Sequence, residues 1–200
     1  MNSPPLILAS TSPWRAELLS RLQIPFTQVD PKVDEGPYKE KGLAPRELVT
    51  ELSIVKARAV QSMNPGTLIL AGDQVACIDD RILGKPKTEE KARSQLAAMS
   101  GKTHKLVTGT TLLNSVTGDL HTRVDVHEMT MRTLTPQQIA SYISRERPLD
   151  AAGSYYIEGL GIALFESLRG DDFTAIVGLP LTQVVELFMA AGIDVLAPQS

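Results

Sequence analysis

The sequence predicts a mixed α/β protein built on one sheet, and three observations predict it. The short apolar runs PLILAS and TLILAGDQVACI read as strands buried on both faces. Segments with leucines at helical spacing lie between such runs. Downstream, KLVTGTTLLNSVTGDLHTRVDVHEMTMRTL reads as two long strands joined by a Val-Thr-Gly turn. Alternating strands and helices with one long hairpin suit a mixed sheet. The 200 residues suit one sizeable domain, taken as 1–200.

The elements follow in order. After PLILAS, Ser12 is placed to N-cap a helix, with Pro13 at the first helical position, where its missing N–H costs nothing. Leu18, Leu19 and Leu22 mark the inward stripe; Arg15 falls on that face and Trp14 at its edge. FTQVDPKVDE alternates like a strand ending in Asp34–Glu35, and EGPYKEKGLAP reads as loop. Residues 46–62 predict a second helix, with Leu48, Leu52, Val55 and Ala59 inward and Lys56 bordering the stripe. TLILAGDQVACI carries Asp73 near its end. DDRILGKPKTEE reads as a turn, a short strand and a loop bearing Lys85, after which Thr88 caps a helix reaching Met99. Beyond the hairpin, TPQQIASYISRE is a helix capped at Thr135. PLDAAGSYYIEGLGIAL is a glycine-rich loop leading into a strand, and residues 180–192 form the last helix.

Composition excludes several function classes. A net charge of −3 with both signs interspersed argues against non-specific binding of a nucleic-acid polymer, yet leaves room for a small anion in a local basic pocket. Aromatics make up 4% of the chain, so aliphatic side chains build the core. Cys77 is the only cysteine and reads as core; no intrachain disulfide is available, which fits a reducing compartment. No secretory signal and no bilayer-length apolar run is present, so a cytoplasmic location is expected. His104, His121 and His127 lack metal-ligand spacing, and no nucleophile elbow of the Gly-x-Ser-x-Gly type occurs. GLG at 159–161 is not a dinucleotide fingerprint, since no helix should follow it.

The residues that carry chemistry come from separate segments. A helix start offers free N–H groups and partial positive charge. Ser10, Thr11 and Ser12 add hydroxyls and Arg15 a fixed fork of donors, a phosphate site in outline. Asp73 ends a buried strand, where a carboxylate is costly unless it meets a metal or a cation. Glu35 ends another strand in the same way, and the two could share one Mg²⁺. Lys56 and Lys85 add positive charge. Two lysines, an arginine and two acids suit a polyphosphate with a metal ion. Each has a plainer reading, from a capped helix with a surface arginine to an ordinary helix lysine with its head in water.

LASTSPWRAELL, VDE, VKARA, LAGDQV, GKP, MSGKTHKLVTG, RPLDAAGSYYIEGLG and VGLPL occur in the order seen in Maf-like nucleoside triphosphate pyrophosphatases. The chain resembles that family over nearly its whole length. The resemblance implies a two-lobed mixed α/β fold around a cleft, often as a homodimer. It also implies hydrolysis between the α- and β-phosphates of a nucleotide with a divalent cation (Mg, Mn or Co). The family's essential positions fall on Ser10, Arg15, Glu35, Lys56, Asp73 and Lys85, with the catalytic acid at Asp73. The commonest pattern has arginine, threonine and glutamine where this chain has Trp14, Gln74 and Glu158. That departure resembles the YceF-type subgroup, whose implied substrate is 7-methyl-GTP. Trp is the best face for a cationic ring, and a carboxylate at Glu158 can accept from guanine N1–H and the 2-amino group. The alternatives are the same chemistry on dTTP, UTP or another non-standard nucleotide, and a nucleotide-sensing regulator of cell division that does not hydrolyse.

Overall fold

A computed structural model of the chain describes residues 4–197; the expected span of 1–200 reaches past both ends, and residues 1–3 and 198–200 lie outside the described residues. Four segments form the N-terminal part: β1 (Leu6–Ala9), α1 (Pro13–Ser20), β2 (Phe26–Val29) and the one-turn α2 (Gly36–Lys39). The long α3 (Pro45–Ala59) then leads into β3 (Leu68–Ile78) and the short β4 (Arg81–Leu83). Next come α4 (Glu89–Met99), the hairpin β5 (Thr103–Asn114) and β6 (Leu120–Met131), and α5 (Pro136–Glu146). Two 3₁₀ turns precede β7 (Phe165–Arg169), α6 (Phe173–Val177) and α7 (Leu181–Ala190).

The seven strands make one sheet in the order β2-β1-β3-β5-β6-β7, with β4 beside β3. β1 pairs parallel with β2 and β3; every other pairing is antiparallel. Alternate residues of β3 face opposite layers, as strand geometry requires. Ile69, Ala71, Val75 and Cys77 pack beneath α3, with Leu48, Val49, Leu52 and Ala57. Leu68 and Leu70 meet α1 and α7, and Ala76 and Ile78 meet α4 and α5. Cys77 is therefore core, as expected.

Register explains where the sheet opens. β3 pairs with β1 only from Leu68 to Ala71, and with β4 only from Ala76 to Ile78. On that side residues 72–75 have no strand neighbour. On the other side β5 runs alongside without a break. The gap sits beyond the carboxyl end of a parallel pair, the place where open α/β sheets receive ligands.

Five expectations are corrected. Asp73 lies in the middle of an eleven-residue strand, not near its end; what ends nearby is β1. The second strand stops at Val29, and Glu35 follows irregular chain as the residue capping α2. Pro31, which cannot donate to a ladder, and the left-handed Lys32 break the strand. The loop expected around residues 35–45 contains that one-turn helix. The buried face of α3 is Leu48, Val49, Leu52, Ser53, Lys56 and Ala57, whereas Ala59 is exposed; Lys56 thus lies within the stripe, not at its border. Finally, α6 is a helix the sequence does not announce, and a 3₁₀ turn over Leu160–Leu164 starts within GLG, after which no helix is expected.

Candidate active site

The gap in the sheet opens into a cleft of about 800 Å³, lined by Ser10, Trp14, Arg15, Glu35, Lys56, Asp73, Gln74, Lys85 and Glu158 among others. All nine residues singled out from the sequence therefore border one cavity.

Asp73 belongs to the β3 face that looks toward α3, and it stands opposite Gly109 of β5. A Cβ on Gly109 would come within 2.6 Å of the Val49 carbonyl oxygen, so the missing side chain lets α3 lie directly on the sheet. That close approach brings Lys56 over Asp73: Nζ lies 2.6 Å from Asp73 Oδ1 and 2.7 Å from Glu35 Oε1. Lys39, one turn along from Glu35, binds its other oxygen at 2.6 Å. Lys39 was missed in the sequence, although its i, i+4 spacing from Glu35 is a readable signal once residues 36–39 are taken as helix.

These surroundings push the two carboxyls apart. Burial raises the pKa of Asp73, with Lys56 and Arg15 acting against it. Partial burial also acts to raise that of Glu35, but Lys56 and Lys39 outweigh it and hold it at about 2. Asp73 is the more basic group, and Glu35 stays a fixed anion. Two carboxylates divided in this way are the mark of separate roles.

Arg15 is held by the main chain. Its Nε donates to the Gly178 carbonyl and its Nη1 to the Gly72 carbonyl, both at 2.8 Å, and Nη1 also faces Ser10 Oγ at 3.5 Å. It fills part of the sheet gap by bonding a β3 carbonyl that has no strand neighbour. Gly178 sits at φ +127°, a backbone conformation that a side chain rarely adopts. Ser10 is buried and also receives the Ser12 N–H; Ser12 caps α1 through the Arg15 N–H, as its sequence position suggested. Lys85 is exposed in the loop after β4.

The three positions tied to specificity divide. Trp14 is 39% exposed at the cleft mouth, with no ring partner among the described residues. Glu158 is exposed and has no ion-pair partner among the described residues; partial burial and its neighbour Glu146 push its pKa up. Gln74 points to the opposite sheet face from Asp73, where Nε2 donates to Thr108 Oγ1 at 2.9 Å and to the Ala175 carbonyl at 2.7 Å. Its amide hydrogens are thus shared between β5 and α6, leaving Oε1 as the polar atom for a ligand.

Beneath the cleft wall, His104 Nε2 lies 2.9 Å from the Tyr155 hydroxyl, and Nδ1 has no partner. Burial holds His104 at about 4, so it is neutral in the folded protein near neutrality. Unfolding frees it to titrate at the ordinary value near 6.5, and the unfolded state binds more protons between those values. Stability should therefore fall as pH drops from about 6.5 to 4, by on the order of 3 kcal/mol from this residue alone. Thermal midpoints of wild type and His104→Gln across that window check it, and parallel curves would refute it.

Two carboxylates that share one ammonium are hard oxygen donors already drawn toward a single cation, and in that respect the set fits a divalent ion. No group of three or more His, Cys, Asp or Glu suited to a metal exists among the described residues. Asp73 and Glu35 could hold an ion only if phosphate and water supplied the other ligands, which is the usual habit of Mg²⁺.

The family model described as Maf-like protein matches residues 5–191. A Nitrosococcus oceani protein named 7-methyl-GTP pyrophosphatase is 48% identical over 96% of this chain and 96% of its own length. Proteins of the same name from Pseudomonas fluorescens and Pseudomonas aeruginosa are 47% and 43% identical, over 95% and 96% of this chain and 98% and 99% of theirs. No helix among the described residues is long and apolar enough to cross a membrane.

Proposed function

The chain belongs to the Maf-like family, and from that premise we propose that it is a nucleoside triphosphate pyrophosphatase that splits 7-methyl-GTP into 7-methyl-GMP and pyrophosphate. The observation that carries the chemistry is the convergence of Asp73, Glu35 and Lys56 within one ion-paired cluster at the gap in the sheet. The names of relatives more than 40% identical over nearly the whole chain support the substrate.

In this reading Asp73 accepts a proton from the attacking water, which adds to phosphorus as the bond between the α- and β-phosphates breaks and pyrophosphate leaves. Its raised pKa suits it to take that proton, while Glu35 remains charged throughout. Lys56 and Lys85 balance phosphate charge, and Arg15 adds a fixed positive charge beside Ser10 and the start of α1. A divalent cation (Mg, Mn or Co) at Asp73 and Glu35 would supply Lewis-acid stabilisation of phosphate charge. We extend the proposal to a single domain acting in the cytoplasm as a homodimer.

Base selectivity rests on Trp14 and Glu158. The exposed indole offers a stacking face for the positively charged methylated ring, and Glu158, without a cation of its own, gains one when that ring binds. The test is pyrophosphate release from 7-methyl-GTP, GTP, UTP and dTTP, with Mg²⁺ and with EDTA. Preference for 7-methyl-GTP and loss of turnover in EDTA are expected. Trp14→Arg with Glu158→Gln should move preference toward pyrimidines by about tenfold or more, the scale set by one or two polar contacts in a base pocket. An unchanged ranking would refute the specificity assignment, and tight binding without turnover would favour the sensing reading.

A further inference from the structure

Two neighbouring loops line the cleft: the one after β4, bearing Lys85, and the one from Asp150 to Glu158. A single side chain outside the cleft joins them. Gln95, on α4, donates from Nε2 to the Gly84 carbonyl at 3.0 Å, and its Oε1 accepts from the Ser154 hydroxyl. A carbonyl can only accept, so the bond to Gly84 sets which way the amide points. Both ends of the amide are used, one on each loop.

The partners are unusual places to anchor. Gly84 immediately precedes Lys85. Ser154 is wholly buried and lies at φ +64°, next to Gly153 at +72°, a backbone that a serine rarely adopts. The turn it makes sets the course of Tyr155 and the residues leading to Glu158. Among the described residues the other bonded links between the loops are the Lys87 N–H to the Leu149 carbonyl and a solvent-exposed Lys87–Asp150 ion pair, with Lys85 acting on Asp150 through charge alone. An exposed pair of that kind holds little. Lys85 is therefore bracketed by a main-chain bond on one side and by Gln95 on the other.

We propose that Gln95 is a positioning residue, which sets the Lys85 loop against the loop bearing Glu158 so that phosphate and base are gripped in register. The proposal rests on the assignment of Lys85 to the phosphate side of the site. Gln95 touches no substrate; it acts through Gly84 and Ser154. A displacement of about 1 Å at a catalytic group is enough to lower rate by about a hundredfold.

Gln95→Glu isolates the Lys85 link. The carboxylate still accepts from Ser154 but offers the Gly84 carbonyl no donor. Ser154→Ala removes only the other link. The experiment is a double-mutant cycle for pyrophosphate release from 7-methyl-GTP, using wild type, Gln95→Glu, Lys85→Ala and the combination, with thermal midpoints for each. Gln95→Glu is expected to lower kcat/KM about tenfold or more with its melting temperature within a few degrees of wild type. In the Lys85→Ala background the same change should cost less than about twofold, because the group it positions is gone. Ser154→Ala should instead narrow the discrimination between 7-methyl-GTP and GTP. Equal losses from Gln95→Glu in both backgrounds, or unchanged kinetics, would overturn the positioning role while leaving the site assignment intact. A fully active Lys85→Ala enzyme would overturn both.

Discussion

Replacing Asp73 by Asn is expected to lower turnover of 7-methyl-GTP by at least about 10²–10⁴-fold, the usual weight of a general base. Asn is nearly isosteric but cannot take the proton from water. The fold should survive, because Lys56 keeps Glu35 as a partner at 2.7 Å and the buried position is relieved of a charge. Burial raises the Asp73 pKa, so in wild type kcat/KM should rise with pH through a limb above the ordinary aspartate range, and that limb should vanish in the variant. Steady-state rates from acid to neutral pH, with circular dichroism as the control for folding, measure both. A folded Asn variant with near-normal turnover would remove Asp73 from the chemistry.

Lys56→Met is expected to damage both stability and activity. Lys56 is nearly buried and binds two carboxylates at once. Removing one partner of a buried pair costs about 3–5 kcal/mol, because the other charge is left unpaired. The Glu35 share is smaller, since that carboxyl is partly exposed and retains Lys39. Asp73 carries most of the penalty and should take up a proton in response, which also disables it as a base. Combining Lys56→Met with Asp73→Asn should then restore much of the lost stability without restoring turnover. Denaturant unfolding and pyrophosphate release on the three variants check this. A double variant no more stable than Lys56→Met would show that the pair is not what holds the site together.

The two experiments bear on how far the site could be read from the chain. Ser12 and Pro13 announced α1, Thr88 and Thr135 announced α4 and α5, and the Val-Thr-Gly turn announced the hairpin of β5 and β6. These signals are local, and the capping bonds confirm them. Lys56 was placed one position off the buried stripe because Val55 and Ala59 are apolar and a lysine is not. What puts Lys56 inward is the pair of carboxylates waiting beneath it, supplied by residues 21 and 17 positions away. Glu35 was assigned to a strand because residues 26–35 alternate, whereas Pro31 ends the ladder. Gln74 reads as available to a base edge, yet its amide nitrogen donates to Thr108 of β5 and to Ala175 of α6, about a hundred residues later in the chain. Arg15 likewise meets the carbonyl of Gly178, a contact that no local pattern can announce.

Most helices and strands, the family and nine residues that line the cleft are legible in the chain, because capping, hydrophobic period and ordered motifs are properties of neighbouring residues. What those residues face is set by the packed fold. The early ends of β1 at Ala9 and of β4 at Leu83 open the sheet, and the bare backbone at Gly109 lowers α3 onto it. Side-chain contacts here depend on those long-range registers: Gln74 bonds a carbonyl of α6 and Arg15 the carbonyl just after it, Lys56 joins two acids, and Gln95 joins two loops. Partners so distant in the chain are brought together by sheet pairing and packing, which no short stretch of sequence encodes.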